Sequence, residues 1–265
     1  MSDFLMNLSP IWQSLIATMF TWGVTCLGAS IVFFFKKVNK SIMDALLGFS
    51  AGVMIAASFW SLLSPAISMA DSLKMNSWLV VFLGFFSGGL LLYLGDKFYT
   101  IFTRNKKVGN DKFKRCLMLM FSITLHNIPE GLVVGVAFGS LAYAINGSNL
   151  AAAITLAIGI GIQNFPEGSA ISLPLRREGL SRKKAFFYGQ LSGIVEPISA
   201  VIGAVLVLKI KTILPFLLAF AAGAMIYVVV EELIPESQTN KKKDLMALFT
   251  LIGFSVMMIL DVALG

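Results

Sequence analysis

The stretch FSITLHNIPEGLVVGVAFG, residues 121–139, decides the fold, because it places a histidine, an amide, a proline and a carboxylate inside a long apolar run. Residues 159–172, GIGIQNFPEGSAIS, repeat the pattern with glutamine in place of histidine. Apolar runs of about 20 residues are typical of helices that cross a membrane. The two stretches therefore predict polar clusters on two neighbouring membrane-spanning helices.

The composition of the whole chain also indicates a membrane protein. Of its 265 residues, 57% are hydrophobic and 13% are charged, whereas soluble domains carry about 25% charged residues. The apolar segments predict an all-α, polytopic fold with eight transmembrane helices: residues 11–35, 42–64, 77–101, 115–140, 150–174, 184–208, 212–234 and 245–263. We expect one membrane domain over residues 1–265, with a mobile cytoplasmic loop at 102–114.

Most of the basic residues, which give the chain a net charge of +7, lie in alternate connections, and the other connections hold only Lys74, Lys209 and Lys211. The basic clusters follow the first, third, fifth and seventh predicted helices, and both tails have no basic residue. By the positive-inside rule these connections are cytoplasmic, so both termini lie outside the cytoplasm. The charge therefore indicates membrane topology and not a nucleic-acid partner.

The two motif helices are the fourth and the fifth, which leaves three helices before them and three after. This three-two-three arrangement is typical of transporters built from inverted repeats, whose sites lie at the repeat interface. Gly131, Gly135 and Gly139 recur at every fourth position of the fourth helix. Their spacing predicts that this helix packs closely against a neighbour.

Each motif places a glutamate on one helical face with two polar side chains that precede it by one turn. The residues concerned are His126, Asn127, Glu130, Gln163, Asn164 and Glu167. Proline follows two residues after the asparagine in both motifs and removes one backbone hydrogen bond there. Each helix therefore presents a carboxylate beside nitrogen- and oxygen-bearing ligands.

Four glutamates fall within apolar segments, namely Glu130, Glu167, Glu196 and Glu231. A carboxylate at the bilayer centre costs about 2.5–3.5 kcal/mol, and no lysine or arginine lies at the same depth to pair with it. Either these groups are protonated, or they face a wet cavity, or a bound cation compensates them. A divalent ion between converging carboxylates does this directly. The mixed nitrogen and oxygen ligands favour zinc and its first-row neighbours over calcium and magnesium.

With HNIPEG, QNFPEG and the EELIPE that closes the seventh helix, the chain resembles the ZIP (Zrt/Irt-like) family of divalent metal transporters, and among them the bacterial GufA-type branch. The similarity covers essentially the whole chain. It implies transport of zinc, with cadmium, iron and manganese as alternatives, from outside into the cytoplasm. The ion is then the substrate, and no cofactor and no enzymatic activity are expected. The expected location is the bacterial inner membrane.

The resemblance also implies a binuclear metal site midway across the bilayer. Its first half would use His126, Glu130, Gln163 and Glu167, with Met54 adjacent; its second half would use Asn127, Glu130, Asn164, Glu167 and Glu196. Some relatives carry aspartate where Asn164 stands, so this chain has one negative charge fewer at the second ion. Asp96, Glu231 and Glu232 match positions near the cytoplasmic exit. The implied movement is an elevator-type alternating access, in which the fourth and fifth helices move against a scaffold.

An intramembrane zinc metalloenzyme is the alternative function, because a zinc-bound water beside a glutamate can hydrolyse a substrate. The sequence lacks HExxH and has a single histidine, which argues against it. A metal receptor that does not transport is a third alternative. The sequence leaves open the order of metal preference, carrier or channel, proton coupling, occupancy of the second metal position, and a homodimeric state.

Overall fold

The computed structural model describes residues 8–35, 39–104, 111–143, 150–177 and 179–264, and for some residues within the helices, among them Asp96 and His126, the backbone alone. Eight long helices account for most of this part: α1 (Pro10–Phe34), α2 (Lys40–Ser72), α3 (Ser77–Arg104), α4 (Asp111–Ser140), α5 (Leu150–Arg177), α6 (Arg182–Lys209), α7 (Leu214–Ser237) and α8 (Lys243–Leu264). The described ranges contain no strand. The predicted all-α fold is confirmed.

Within the described ranges, helices α1–α3 and α5–α8 are long and apolar enough to cross a membrane. Helix α4 begins with DKFKR and carries the first polar motif. It packs against α1, α5, α6 and α7. The architecture is that of a multi-pass membrane protein, as predicted.

Three helices change their hydrogen-bond pattern along their length. Helix α2 contains a π-helical segment at Ser58–Leu63, and α7 contains one at Val229–Leu233. Helix α6 contains a 3₁₀ segment at Ser192–Ile194. Short 3₁₀ turns also follow α4 at Leu141–Tyr143 and precede α7 at Lys211–Ile213.

Several helix boundaries differ from the sequence-based prediction, among them those of α2, α3 and α4. Helix α2 continues past residue 64 to Ser72, because the π-helical segment directly before Pro65 accommodates the missing proline N–H without breaking the helix. Helix α3 continues to Arg104 and α4 begins at Asp111. The charges of these two end residues suit the helix macrodipole. The helices thus occupy both ends of the predicted 102–114 loop, whose residues 105–110 lie outside the described residues.

The eight helices form two bundles of four. The first bundle, α1, α4, α5 and α6, is built on the close pairs α1·α5 and α4·α6. The second bundle, α2, α3, α7 and α8, is built on the close pairs α2·α8 and α3·α7. Between the bundles, the main contacts are α2 against α5 and α4 against α7.

The pairing scheme has an internal symmetry. Exchanging α1–α3 with α6–α8, and α4 with α5, converts each close pair into another close pair of the set. The π-helical segments obey the same exchange, because α2 and α7 each carry one and each continues with a proline as the second residue. An inverted three-two-three repeat would produce this pattern.

Each close pair is packed through at least one glycine from each of its two helices. A Cβ atom at any of these glycines would collide with a backbone carbonyl of the partner helix. They are Gly28 and Gly168 for α1·α5, Gly135 and Gly203 for α4·α6, Gly52 and Gly253 for α2·α8, and Gly88 and Gly223 for α3·α7. The three regularly spaced glycines of α4 all contact α6, in agreement with the close packing that their spacing predicts.

Candidate metal centre

The polar residues of both motifs lie inside the first bundle. Six of the predicted ligands have side chains that are almost fully buried: Asn127, Glu130, Gln163, Asn164, Glu167 and Glu196, none more than 2% exposed. Helices α4 and α5 run without interruption through Pro129 and Pro166, so each glutamate stays on the same helix as the amide before it. The close packing of α4 on α6 brings Gly131 against the backbone of Glu196. The fold therefore places the three carboxylates in one bundle.

The two motifs are joined directly by a hydrogen bond between α4 and α5. The Gln163 amide Nε2 donates to Oε1 of Glu130. The Gln163 oxygen and the second Glu130 oxygen, Oε2, have no hydrogen-bond partner among the described residues. Two oxygens from different helices are thus available for a cation at the same junction.

Glu196 has a different environment, because donors from two helices reach its two oxygens. The Asn164 Nδ2 atom on α5 donates to Oε1 at 2.9 Å, and the Thr21 hydroxyl on α1 donates to Oε2. Asn164 Nδ2 also lies 3.4 Å from the backbone oxygen of Thr21. The sequence-based site left out Thr21. The feature of the sequence that points to Thr21 is a hydroxyl within an apolar helix.

Five oxygens of the two motifs are buried and lack a hydrogen-bond donor within the described ranges. They are Asn127 Oδ1, Glu130 Oε2, Gln163 Oε1, Asn164 Oδ1 and Glu167 Oε2. A buried polar atom without a partner costs about 1–3 kcal/mol. Five such oxygens on two adjacent helices favour a ligand that accepts their lone pairs, and a divalent cation does so.

The carboxylates do not suffice for a metal site by themselves. Among the side chains that the structure describes, no three from His, Cys, Asp and Glu come together closely enough to hold a metal ion. The amide oxygens of Asn127, Gln163 and Asn164 would therefore have to complete the ligand set. The side chain of His126 lies outside the described residues.

Met54 lies on the face of α2 that meets the first bundle. Its side chain is fully buried in the apolar core. Ser50, one turn earlier on the same face, donates its hydroxyl to the backbone oxygen of Gln163 at 3.2 Å. This contact places the Ser50 and Met54 face of α2 beside the second motif.

The three exit residues of the prediction belong to α3 and α7, in the second bundle. Glu231 is exposed and Glu232 is partly buried, and both belong to the π-helical segment of α7. Asp96 is part of α3, and its side chain lies outside the described residues. The structure therefore buries Glu130, Glu167 and Glu196, whereas it leaves Glu231 at the surface.

Comparison with known proteins gives matches along nearly the whole chain. The family model described as ZIP Zinc transporter matches residues 8–116 and 110–261. Zinc transporter ZIP11 of Xenopus tropicalis is 38% identical over an alignment of 332 residues, which covers 97% of this chain and 98% of that protein. The human protein of the same name is 37% identical over 338 residues, with 97% and 98% covered. Zinc transporter GufA of Myxococcus xanthus is 31% identical over 257 residues, with 95% and 98% covered.

Proposed function

Because this chain belongs to the ZIP zinc transporter family, we propose that Zn²⁺ crosses the membrane at the buried junction of α4 and α5. The chain is a transporter of divalent metal ions with zinc as its substrate, and the family gives no support to the metalloenzyme alternative. The observation that carries the proposed site is the set of five buried motif oxygens without a donor. Cations at that junction would accept the lone pairs of these oxygens.

The proposed ligands divide into two overlapping sets, and two ions share the carboxylates of Glu130 and Glu167. One set is His126, Glu130, Gln163 and Glu167, beside Met54; the other is Asn127, Glu130, Asn164, Glu167 and Glu196. Amide oxygens are neutral ligands, so they contribute less attraction than carboxylates do. This mixture binds strongly enough to replace the hydration shell and still releases the ion.

The moving unit of the proposed alternating access is the whole first bundle. Helices α1 and α6 accompany α4 and α5, because glycine contacts join α1 to α5 and α4 to α6. The Glu196 hydrogen bonds add a polar link among α1, α5 and α6. The second bundle then serves as the scaffold of an elevator-type transporter, against which the first bundle carries the ion.

The ion enters from outside and leaves on the side of the basic loops, past Asp96, Glu231 and Glu232. The positive-inside rule places both termini outside the cytoplasm and the basic loops inside, so the exit lies on the cytoplasmic side; for a bacterial protein the membrane is the inner membrane. The outer faces of α3 and α8 meet lipid, because large apolar side chains such as Trp78, Phe86 and Leu251 are exposed there. A homodimer would form on the same faces.

Uptake of labelled Zn²⁺ into proteoliposomes tests the proposed site. Glu130→Ala removes a carboxylate that both ions share, so uptake should fall by at least about 100-fold, more than the usual loss for groups that only orient a ligand. Asp71→Ala removes an exposed carboxylate at the end of α2 and should transport like the wild type. Equal uptake by Glu130→Ala and the wild type would contradict the site.

A further inference from the structure

We propose that Thr21 of α1 is a positioning residue for the metal site, and that it acts through Glu196 and Asn164. This inference rests on the proposed function, since it concerns the same site. Thr21 touches both partners: its hydroxyl donates to Oε2 of Glu196, and its backbone oxygen faces Asn164 Nδ2 at 3.4 Å. One residue of α1 therefore fixes one group on α6 and one on α5.

The contacts of Asn164 determine which end of its amide faces the ion. Its nitrogen has two acceptors, Oε1 of Glu196 at 2.9 Å and the backbone oxygen of Thr21. With the nitrogen held on that side, the Asn164 oxygen points away and has no donor among the described residues. A cation needs the oxygen and not the nitrogen. A fixed Glu196 side chain thus keeps the Asn164 oxygen available to the ion.

Thr21 differs from the other buried hydroxyls of the same helix. Ser14, Thr18 and Thr25 also face inward from α1, and their hydroxyls donate to backbone oxygens of α1 itself. The Thr21 hydroxyl lies 3.1 Å from the backbone oxygen of Thr18 and also reaches Glu196 on another helix. A carboxylate is the stronger acceptor of the two. Thr21 is therefore the hydroxyl of this row that links α1 to the site.

The neighbouring packing keeps Glu196 within reach of Thr21. Gly193 lies so close that a Cβ atom there would stand 3.1 Å from Oε1 of Glu196 and 3.1 Å from the Thr25 hydroxyl. One residue from Thr21, the Trp22 indole Nε1 donates to the backbone oxygen of Gln190 on α6 at 3.0 Å. Helix α1 is thus held against α6 directly beside the contact, so the Thr21 hydroxyl faces a carboxylate with little freedom to turn away.

The test compares Thr21→Val, which keeps the shape and removes the hydroxyl, with Thr21→Ser, which keeps the hydroxyl. Thr18→Val is the matched control, since it removes a buried hydroxyl of α1 that bonds only within its own helix. Zn²⁺ uptake into proteoliposomes is measured over a range of concentrations, and rates are normalised to correctly folded, monodisperse protein. Thr21→Ala repeats the test without the branched side chain.

Thr21→Val and Thr21→Ala should raise KM for Zn²⁺ by about tenfold, the factor expected for one lost hydrogen bond to a charged group, with the maximal rate within about twofold of the wild type. Thr21→Ser and Thr18→Val should keep the wild-type KM. In a Glu196→Gln background, Thr21→Val should add nothing to KM, because the two residues act in one chain of contacts. An unchanged KM in Thr21→Val, or an equal rise in Thr18→Val, would overturn the inference. Absence of uptake by the wild type would instead contradict the proposed function.

Discussion

Contacts inside the two bundles differ in kind from contacts between them. Inside each bundle, glycines bring the backbone of one helix against a carbonyl of the next, as Gly135 does at Ala200 and Gly223 at Phe85. Between the bundles, the glycine contact found in the described ranges is that of Gly159 with the side chain of Met257. Backbone contacts allow no adjustment, whereas methionine has several rotatable bonds. We therefore expect each bundle to be more rigid than the surface at which the two bundles meet.

The polar groups follow the same division. The first bundle holds the buried motif residues and Glu196, whereas the second bundle has its buried Asp44 near the start of α2. Asp44 is bonded there by Asn240 at 2.8 Å, and its backbone oxygen accepts from Ser237 at 2.7 Å. The first bundle thus carries the proposed site, and in the second bundle hydrogen bonds join the start of α2 to the end of α7 and to Asn240. We expect this arrangement of a bundle that carries the ion and a bundle that serves as the scaffold.

A cross-link between the bundles should have the largest effect. The Ser169 hydroxyl lies 3.7 Å from the Met43 sulfur, and this contact joins α5 to α2. The test uses Met43→Cys with Ser169→Cys in a protein without its native cysteines, treated with a short cross-linker that forms a disulfide with each thiol. Zn²⁺ uptake should fall to background, because the first bundle can no longer move. Cleavage of these disulfides by a reductant should restore uptake.

The control for this cross-link joins two elements of the second bundle. Asn240 Nδ2 lies 3.1 Å from the Ser41 hydroxyl, so Ser41→Cys with Asn240→Cys can be cross-linked in the same way. Uptake should persist after this treatment. Loss of uptake in both cross-linked proteins, or in neither, would contradict the division into two moving units.

Adding one methyl group to a glycine should distinguish the two kinds of contact by stability. Gly135→Ala forces a Cβ against the Ala200 carbonyl, and overpacking of this kind costs about 1–3 kcal/mol or more. Gly159→Ala meets the end of the Met257 side chain, which can turn aside, and alanine also favours the helix by about 0.5–1 kcal/mol. Thermal unfolding in detergent should show a lower Tm for Gly135→Ala and little change for Gly159→Ala. Equal losses would mean that both surfaces are equally rigid.

Removing one hydrogen bond between the bundles should have the smallest effect. Ser50 on α2 donates to the Gln163 backbone oxygen on α5 at 3.2 Å. If this bond breaks each time the first bundle moves, Ser50→Ala should raise the maximal uptake rate by about two- to tenfold, since a hydrogen bond contributes about 0.5–1.5 kcal/mol. Ser237→Ala, which removes a similar bond within the second bundle, should leave the rate unchanged. A slower Ser50→Ala protein would show that the bond assists the movement.

The sequence predicted those features whose cause is local. Apolar length identified the helices, and the spacing of Glu130 and Glu167 from their amides predicted a shared helical face. The π-helical segment before Pro65 was not predictable, because proline in an apolar run indicates a helix end as often as a change of helical type. The pairing of α1 with α5 was equally hidden, since it depends on which glycines meet across the fold.

The residues of the metal site could also be predicted from the sequence only in part. Charged residues in an apolar segment stand out from sequence alone, so Glu196 could be named without any knowledge of its neighbours. A threonine in an apolar helix does not stand out, because its hydroxyl is usually satisfied by the helix itself, as for Thr18 and Thr25. The partner of Thr21 lies 175 residues away along the chain. Only the folded structure relates the two.

The two π-helical segments lie in opposite halves of the second bundle. The bonds of Asn240 to Ser41 and of Ser237 to Asp44 place the start of α2 beside the end of α7. Val229–Leu233 lies in the last turns of α7, close to that side. Ser58–Leu63 lies more than about 25 Å away from that side along α2, at 1.5 Å per residue. Each half of the second bundle thus contains one widened helical turn, and each turn lies beside acidic groups. Ser61 of the α2 segment donates its hydroxyl to Asp261 Oδ1 on α8 at 2.6 Å, and the α7 segment contains Glu231 and Glu232. An ion that passes either widened turn would therefore meet a carboxylate.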